Sequence, residues 1–274
     1  MDIISIENLS KKYEHFKLDN LNLKIPTGSV IGLVGANGAG KTTLIKLLLG
    51  IVKKDSGNIN MINKEEIGIV LDDAFLPELL KINDINQIMK NVYKNWDEKL
   101  FQEYLRKFNL TNNLTIKSLS KGMKKKLEIA TALAHKPRLL ILDEPTSDLD
   151  PIVRGEVLDL FREFMEDDTH SILISSHITS DLESIADYIV LIDNGKIILN
   201  KSITDIMDNY GIIHCTKEMF HKLTPECISY RQNKYDYEIL VDNKKEIKKK
   251  YKDLNIDKAS IDEMMYLIIR GEKQ

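Results

Sequence analysis

The chain has 274 residues, 39 basic and 42 acidic side chains, a formal net charge of −3 and 43% hydrophobic residues. This balance excludes a disordered chain and a nucleic-acid binder that works by bulk charge; the length predicts one large domain, or one domain with an appendage, able to bury a core without staples. No run of residues is long and apolar enough to span a bilayer. The opening residues, MDIISIENLSKKY, carry no apolar signal-like core, and Cys215 and Cys227 fall in no metal or redox spacing. Both are expected to be free thiols in a reducing cytoplasm.

Residues 3–8, 18–25 and 29–34 read as strands rich in Ile, Leu and Val, with Pro26, Thr27 and Gly28 separating the second from the third. The third runs into a glycine-rich stretch and then the apolar-periodic TLIKLLLGIV, a strand–loop–helix pattern. Short strands are predicted at 57–62 and 67–71. From about 73 to 137 helical patterns take over, at 83–95, 97–109 and 122–135, as an insertion into an α/β core. LLIL at 139–142, SILIS at 171–175 and YIVLI at 188–192 read as buried strands, separated by helical stretches at 151–166 and 178–186. Such alternation predicts a parallel sheet with helices on both faces. Residues 204–274 hold 13 basic and 13 acidic side chains and no glycine-rich loop. There ISYRQ and YDYEILV could pair as strands, and KKEIKKKYKDL and SIDEMMYLIIRGEK look helical, so 206–274 is expected to be a small α+β appendage without chemistry of its own.

Gly35-Ala-Asn-Gly-Ala-Gly40-Lys41-Thr42 matches G-x-x-x-x-G-K-[ST]. Glycines let the backbone wrap a phosphate with its N–H groups pointing inward, and the following helix turns its positive end to the same anion. The candidate ATP-binding residues here are Gly35, Asn37, Gly38, Ala39, Gly40, Lys41, Thr42 and Thr43; Lys41 would reach the β- and γ-phosphates, and the Thr42 hydroxyl would ligate Mg²⁺. Leu139-Leu-Ile-Leu-Asp143-Glu144 is a buried strand ending in two carboxylates. Alone it is a common pattern; beside a phosphate loop it assigns Asp143 to Mg²⁺, through water, and Glu144 to the general base that polarises the attacking water.

Three further motifs follow the same order: Leu119-Ser120-Lys121-Gly122-Met123, Ser147-Asp148-Leu149-Asp150 and Ser176-His177. Together the five resemble the ATP-binding subunit of an ABC transporter over roughly residues 1–205. The resemblance implies a P-loop NTPase fold of the ABC type, α/β, with a mixed sheet core and a helical subdomain at about 73–137. It implies that Ser120 and Gly122 cap the γ-phosphate held by a second copy, with ATP–Mg²⁺ buried in a head-to-tail dimer. Asp150 would stand at that interface, His177 would contact the γ-phosphate, and Tyr13 falls where the family stacks an aromatic ring on adenine. Asp72 occupies the position of the family's usual Gln; it could hold Mg²⁺ or orient water, though it adds negative charge beside the phosphates. Lys121 and Met123 also depart from the commoner residues without removing a key contact, and Asp148 stands where a Gly or Ala is more common.

A finer resemblance, around Tyr93–Asp97, the LSKGM signature and Ser175–Asp181, is to the ATPases of bacterial antibiotic and bacitracin exporters. Trp96 is expected to pack within the insertion, and Met264 and Met265 to pack in the appendage. The implied partners are a second ATPase chain and a transmembrane permease, whose short helix would dock near Phe75, Leu76 and Leu79 unless these are simply core. The protein would then sit at the cytoplasmic side of the membrane, held by the permease, and no nucleic-acid partner is expected. The lysine run at 244–252 could touch anionic lipid, but more often such a run is a solvated helix face. The alternative is a non-transport ABC-family ATPase acting on ribosomes or nucleic acid, disfavoured by the single cassette and the short insertion. A nucleotide sensor without hydrolysis is disfavoured by Glu144 and His177.

Overall fold

The computed structural model describes residues 2–72, 76–147 and 149–273. Strands β1 (Asp2–Lys12), β2 (Lys17–Pro26) and β3 (Val30–Val34) lead into α1 (Lys41–Leu48), followed by β4 (Ser56–Met61) and β5 (Ile67–Val70). Helices α2 (Ile82–Val92), α3 (Glu98–Lys107) and α4 (Lys121–Leu133) come next. Then follow β6 (Leu139–Asp143), α5 (Pro151–Phe164), β7 (Ser171–Ser175), α6 (Thr179–Ile185) and the hairpin of β8 (Tyr188–Asp193) and β9 (Lys196–Ser202). The C-terminal part holds α7 (Ile203–Asn209), β10 (Gly211–Cys215), α8 (Lys217–Leu223), β11 (Ser229–Gln232), β12 (Tyr237–Val241), α9 (Lys244–Lys250), β13 (Asp257–Lys258) and α10 (Ile261–Arg270).

The central sheet runs β5-β6-β7-β3-β8-β9 and is parallel except where β9 returns antiparallel to β8. Every residue of β3, β6 and β7 is buried, because both faces of these strands are covered. On one face Val30, Leu140 and Ile172 meet Leu127 of α4, Val157 and Phe161 of α5 and Leu182 of α6. On the other face Ile31, Ile141 and Leu173 meet Leu44 and Leu48 of α1 and the inner side chains of a second sheet, β2-β1-β4. The expected helices lie on both faces, α4, α5 and α6 on the first and α1 on the second, but on the second they share the cover with a sheet that had not been expected there. The second face is largely sheet on sheet, and the alternating burial along β2 is the mark of a strand with one wet side.

Ile82, Ile85, Phe101 and Leu105 tie α2 and α3 into the same core as α4. Trp96 packs as expected: its ring lies 5.1 Å from that of Phe101, and its Nε1 donates to Asn86 Oδ1 at 2.9 Å. The C-terminal strands form an antiparallel sheet, β11-β12-β10-β13, around Ile213, Phe220, Leu223, Ile239 and Ile247. The expected pair at 228–232 and 235–241 is β11 with β12. β10 and α8 had not been anticipated. Helix α10 returns to the cassette: Met264 and Leu267 join the core of the central sheet, Met265 packs at its margin, and the Ile261 N–H donates to Glu183 Oε1 at 2.7 Å. The boundary expected at 205/206 falls within α7, whose Ile206 lies in that core. Among the described residues no helix is long and apolar enough to cross a membrane.

Candidate functional site

β3 ends at Val34, and the next six residues wrap the start of α1. A Cβ on Gly35 would stand 2.3 Å from the Ile192 carbonyl oxygen, so the loop can pass there only without a side chain. Lys41 folds back into the loop: its Nζ donates to the Gly35 carbonyl at 2.7 Å and approaches that of Ala36 at 3.4 Å. No acidic residue or capping side chain occupies the first turn of α1, which leaves its N–H groups and positive end for an anion. The turn at Asn194–Gly195 supports the loop from outside: the Gly195 N–H donates to the Ala39 carbonyl at 3.0 Å, and the Asp19 N–H donates to the Gly195 carbonyl at 2.9 Å.

Over this loop lies a cleft of about 660 Å³, lined by Asn37, Gly38, Gly40, Lys41, Thr42 and Thr43 together with Asp72 and Glu144. β6 delivers the carboxylates. Ser175 Oγ on β7 donates to Asp143 Oδ1, whereas Asp143 Oδ2 is buried with no hydrogen-bond partner. A buried carboxylate oxygen left unpaired is costly, and a hydrated divalent cation would satisfy it. Among the described residues no group of three His, Cys, Asp or Glu gathers to hold a metal. Mg²⁺ binds through one or two carboxylates plus phosphate oxygens and water. Glu144 has a left-handed backbone, φ 51°, which turns its side chain out of the strand. Its N–H donates to the Ser175 carbonyl at 3.1 Å, and its Oε2 lies 2.6 Å from His177 Nδ1.

The remaining candidates lie outside the cleft lining. Ser120 caps α4, its Oγ accepting the Met123 N–H at 3.2 Å, with Gly122 in the first turn. Asp150 caps α5 by accepting the N–H groups of Ile152 and Val153, each at 3.1 Å. Gly35 and Ala39 shape the loop from behind. Tyr13 is exposed; the aromatic residues that line the cleft are His15 and Phe16, with the Phe16 ring 6.4 Å from that of Tyr13. Sequence reasoning passed over Phe16, although its closeness in sequence to Tyr13 was a usable signal. Leu76 packs at the core margin, whereas Leu79 is exposed. Phe75 and Asp148 lie outside the described residues.

One further link was not foreseen. Lys125, buried on α4, donates to the carbonyl of Leu71, next to Asp72, at 3.2 Å and stands 3.4 Å from Glu128 Oε2. Burial holds the Glu128 carboxyl above its usual range against the pull of Lys125, and the charge of Asp72 pushes the same way as burial.

The family of ABC transporters matches residues 18–147. The lantibiotic transport ATP-binding protein SrtF of Streptococcus pyogenes is 39% identical over 209 residues, covering 73% of this chain and 90% of that protein. The bacitracin transport ATP-binding protein BcrA of Bacillus licheniformis is 37% identical over 212 residues, 72% of this chain and 68% of that one. Among solved structures, an ATP-binding subunit of an ABC transporter superposes with a TM-score of 0.68 at 26% identity, over 74% of this chain and 91% of that one. A dimeric ATP-binding cassette in a post-hydrolysis state bound to ADP and phosphate shares the fold, with a TM-score of 0.65 at 21% identity over 73% of this chain and 98% of that one. The phosphate loop, the carboxylates beyond β6 and these relatives lead to one conclusion: the chain belongs to the ABC transporter family, as an ATP-binding subunit that hydrolyses ATP.

Proposed function

We propose that the chain powers export of an antibiotic-type peptide or a related compound through a separate membrane permease, working at the cytoplasmic side as a head-to-tail pair. Support for the cargo class comes from the two named transport relatives, of lantibiotic and bacitracin. The observation that carries the chemistry is the Glu144–His177 contact, 2.6 Å, beside the phosphate loop cleft.

In this reading Lys41 and the N–H groups of residues 37–43 hold the β- and γ-phosphates. Phe16 or Tyr13 offers an aromatic face to the base, and Thr42, Asp143 and Asp72 hold Mg²⁺. The bound Mg²⁺ would neutralise charge that develops on the phosphate oxygens. Glu144 Oε1 takes the proton of the attacking water, whose oxygen bonds to the γ-phosphorus as the bond to the ADP oxygen breaks. His177 holds that carboxylate in line and contacts the γ-phosphate. Ser120 and Gly122 of each copy cap the nucleotide of the other, with Asp150 at the seam. Closure on ATP rocks the permease, docked near Leu76 and Leu79, and loss of the γ-phosphate reopens the pair. Residues 206–274 form an accessory region without chemistry of its own.

The test is a mild-detergent pull-down of tagged protein from native membranes, together with a phosphate-release assay. A stoichiometric polytopic membrane protein is the expected companion; ribosomal proteins or nucleic acid in its place would overturn the transport reading.

A further inference from the structure

Behind the Glu144–His177 contact lies a second bridge between the same two segments. Thr146, two residues beyond Glu144, donates from Oγ1 to Asp181 Oδ2 at 2.8 Å, and Asp181 lies four residues beyond His177. Both side chains are buried. The other carboxylate oxygen, Oδ1, stands 3.6 Å from Nε of Arg154, whose backbone N–H donates to the Asp150 carbonyl at 2.9 Å. The Asp181 N–H donates to the Ile178 carbonyl at 3.1 Å, and its own carbonyl accepts the Ser184 hydroxyl at 2.7 Å. One carboxylate, itself held from both backbone sides, thus joins the turn after β6, the start of α5 and the turn after β7.

The energetics favour this inner bridge as the one that sets geometry. The His177 side chain is 56% exposed, so its contact with Glu144 faces water on one side and needs a firmer support behind it. The Thr146–Asp181 bond is dry and charge-assisted, the stronger class. Glu144 also needs an external hold, because its left-handed φ of 51° is costly for a residue with a side chain.

We propose that Asp181 is a positioning residue for hydrolysis: through Thr146 and Arg154 it fixes the spacing of Glu144 and His177 and the setting of the Asp150 turn. The inference rests on the reading of Glu144 as the base. No catalytic contact is assigned to Asp181, which the cleft lining does not include.

The test measures steady-state turnover, ATP affinity and thermal unfolding for Thr146→Val, Thr146→Ser and Asp181→Asn, each with and without Glu144→Gln. Thr146→Val and Asp181→Asn should each lower kcat about tenfold, as small misplacements of a reacting group do, with ATP affinity changed less than about twofold. The pair combined should be no worse than either, and Thr146→Ser, which keeps the hydroxyl, should restore turnover. In the Glu144→Gln background each should lower the residual rate by a much smaller factor, because the base whose spacing they set is gone. Equal turnover of Thr146→Val and Thr146→Ser would overturn the proposal even if Asp181→Asn does not fold. So would the same factor of loss in both backgrounds. Full turnover of Glu144→Gln alone would instead refute the base assignment.

Discussion

Oε2 of Glu144 meets both nitrogens that His177 can offer it, Nδ1 at 2.6 Å and the backbone N–H at 3.2 Å. A carboxylate oxygen held twice by one residue keeps its direction while the other oxygen stays free for water. Glu144→Gln should therefore bind ATP, accumulate as a stable pair and lose turnover by about 10²–10⁴, the usual contribution of a positioned base. His177→Ala should lose most turnover as well, and the double variant should be little worse than the more impaired single one. Phosphate release at saturating ATP measures all three; an unimpaired Glu144→Gln would end the assignment.

Lys41 folds into the phosphate loop, its Nζ donating to the Gly35 carbonyl at 2.7 Å. Lys41→Ala should fold with near-unchanged unfolding temperature and fail to bind nucleotide. Titration with a fluorescent ATP analogue reads this directly, and retained affinity would count against the phosphate-loop reading.

The Lys125–Glu128 pair gives a pH-dependent prediction. Burial holds the folded-state value of Glu128 above the unfolded one, so the folded chain binds that proton more tightly. Stability from the protonated form is present at low pH and is lost as pH rises through the raised value. Lys125 opposes this loss by favouring the ionised form. Lys125→Met should therefore destabilise by about 3–5 kcal/mol near neutral pH, the cost of stranding one partner of a buried pair, and less at acidic pH. Adding Glu128→Gln should recover most of it. Urea unfolding across this range decides, and a deficit that does not vary with pH would remove Glu128 from the explanation.

Burial pushes the thiols of both Cys215 and Cys227 up to about 11, with smaller contributions from Asp236 and from Cys215 respectively. Near pH 8 roughly one thiol in a thousand is then the reactive thiolate. Alkylation followed by mass spectrometry should be slow in the folded protein and rapid in denaturant; rapid labelling of the folded chain would contradict the packing around β10.

What could be read from the sequence follows from how local the constraint is. The loop at 35–43 and the carboxylates after LLIL announce themselves because each requires particular residues at adjacent positions. β9 escaped notice because KIILNKS is a half-exposed edge strand whose polar residues read as loop. β10, with the short run GIIHC, draws its burial from β12 and β13, which no nearby residue reveals. Choosing Tyr13 over Phe16 turned on which ring the β1–β2 turn directs at the cleft. The Thr146–Asp181 bridge spans 35 positions, beyond any periodicity.

The position of β3 between β7 and β8 also dictates an order of events during synthesis. The strand that carries the phosphate loop leaves the ribosome early but has no sheet partners until residues 171–175 and 188–193 emerge. The turn at Gly195 that braces Ala39 comes later still. A nascent chain halted before residue 171 should bind no ATP, and one released past 202 should bind it. Nucleotide capture on stalled ribosomes would show the step. On this order, competence for ATP should be acquired late, once β7, β8 and the Gly195 turn have joined β3.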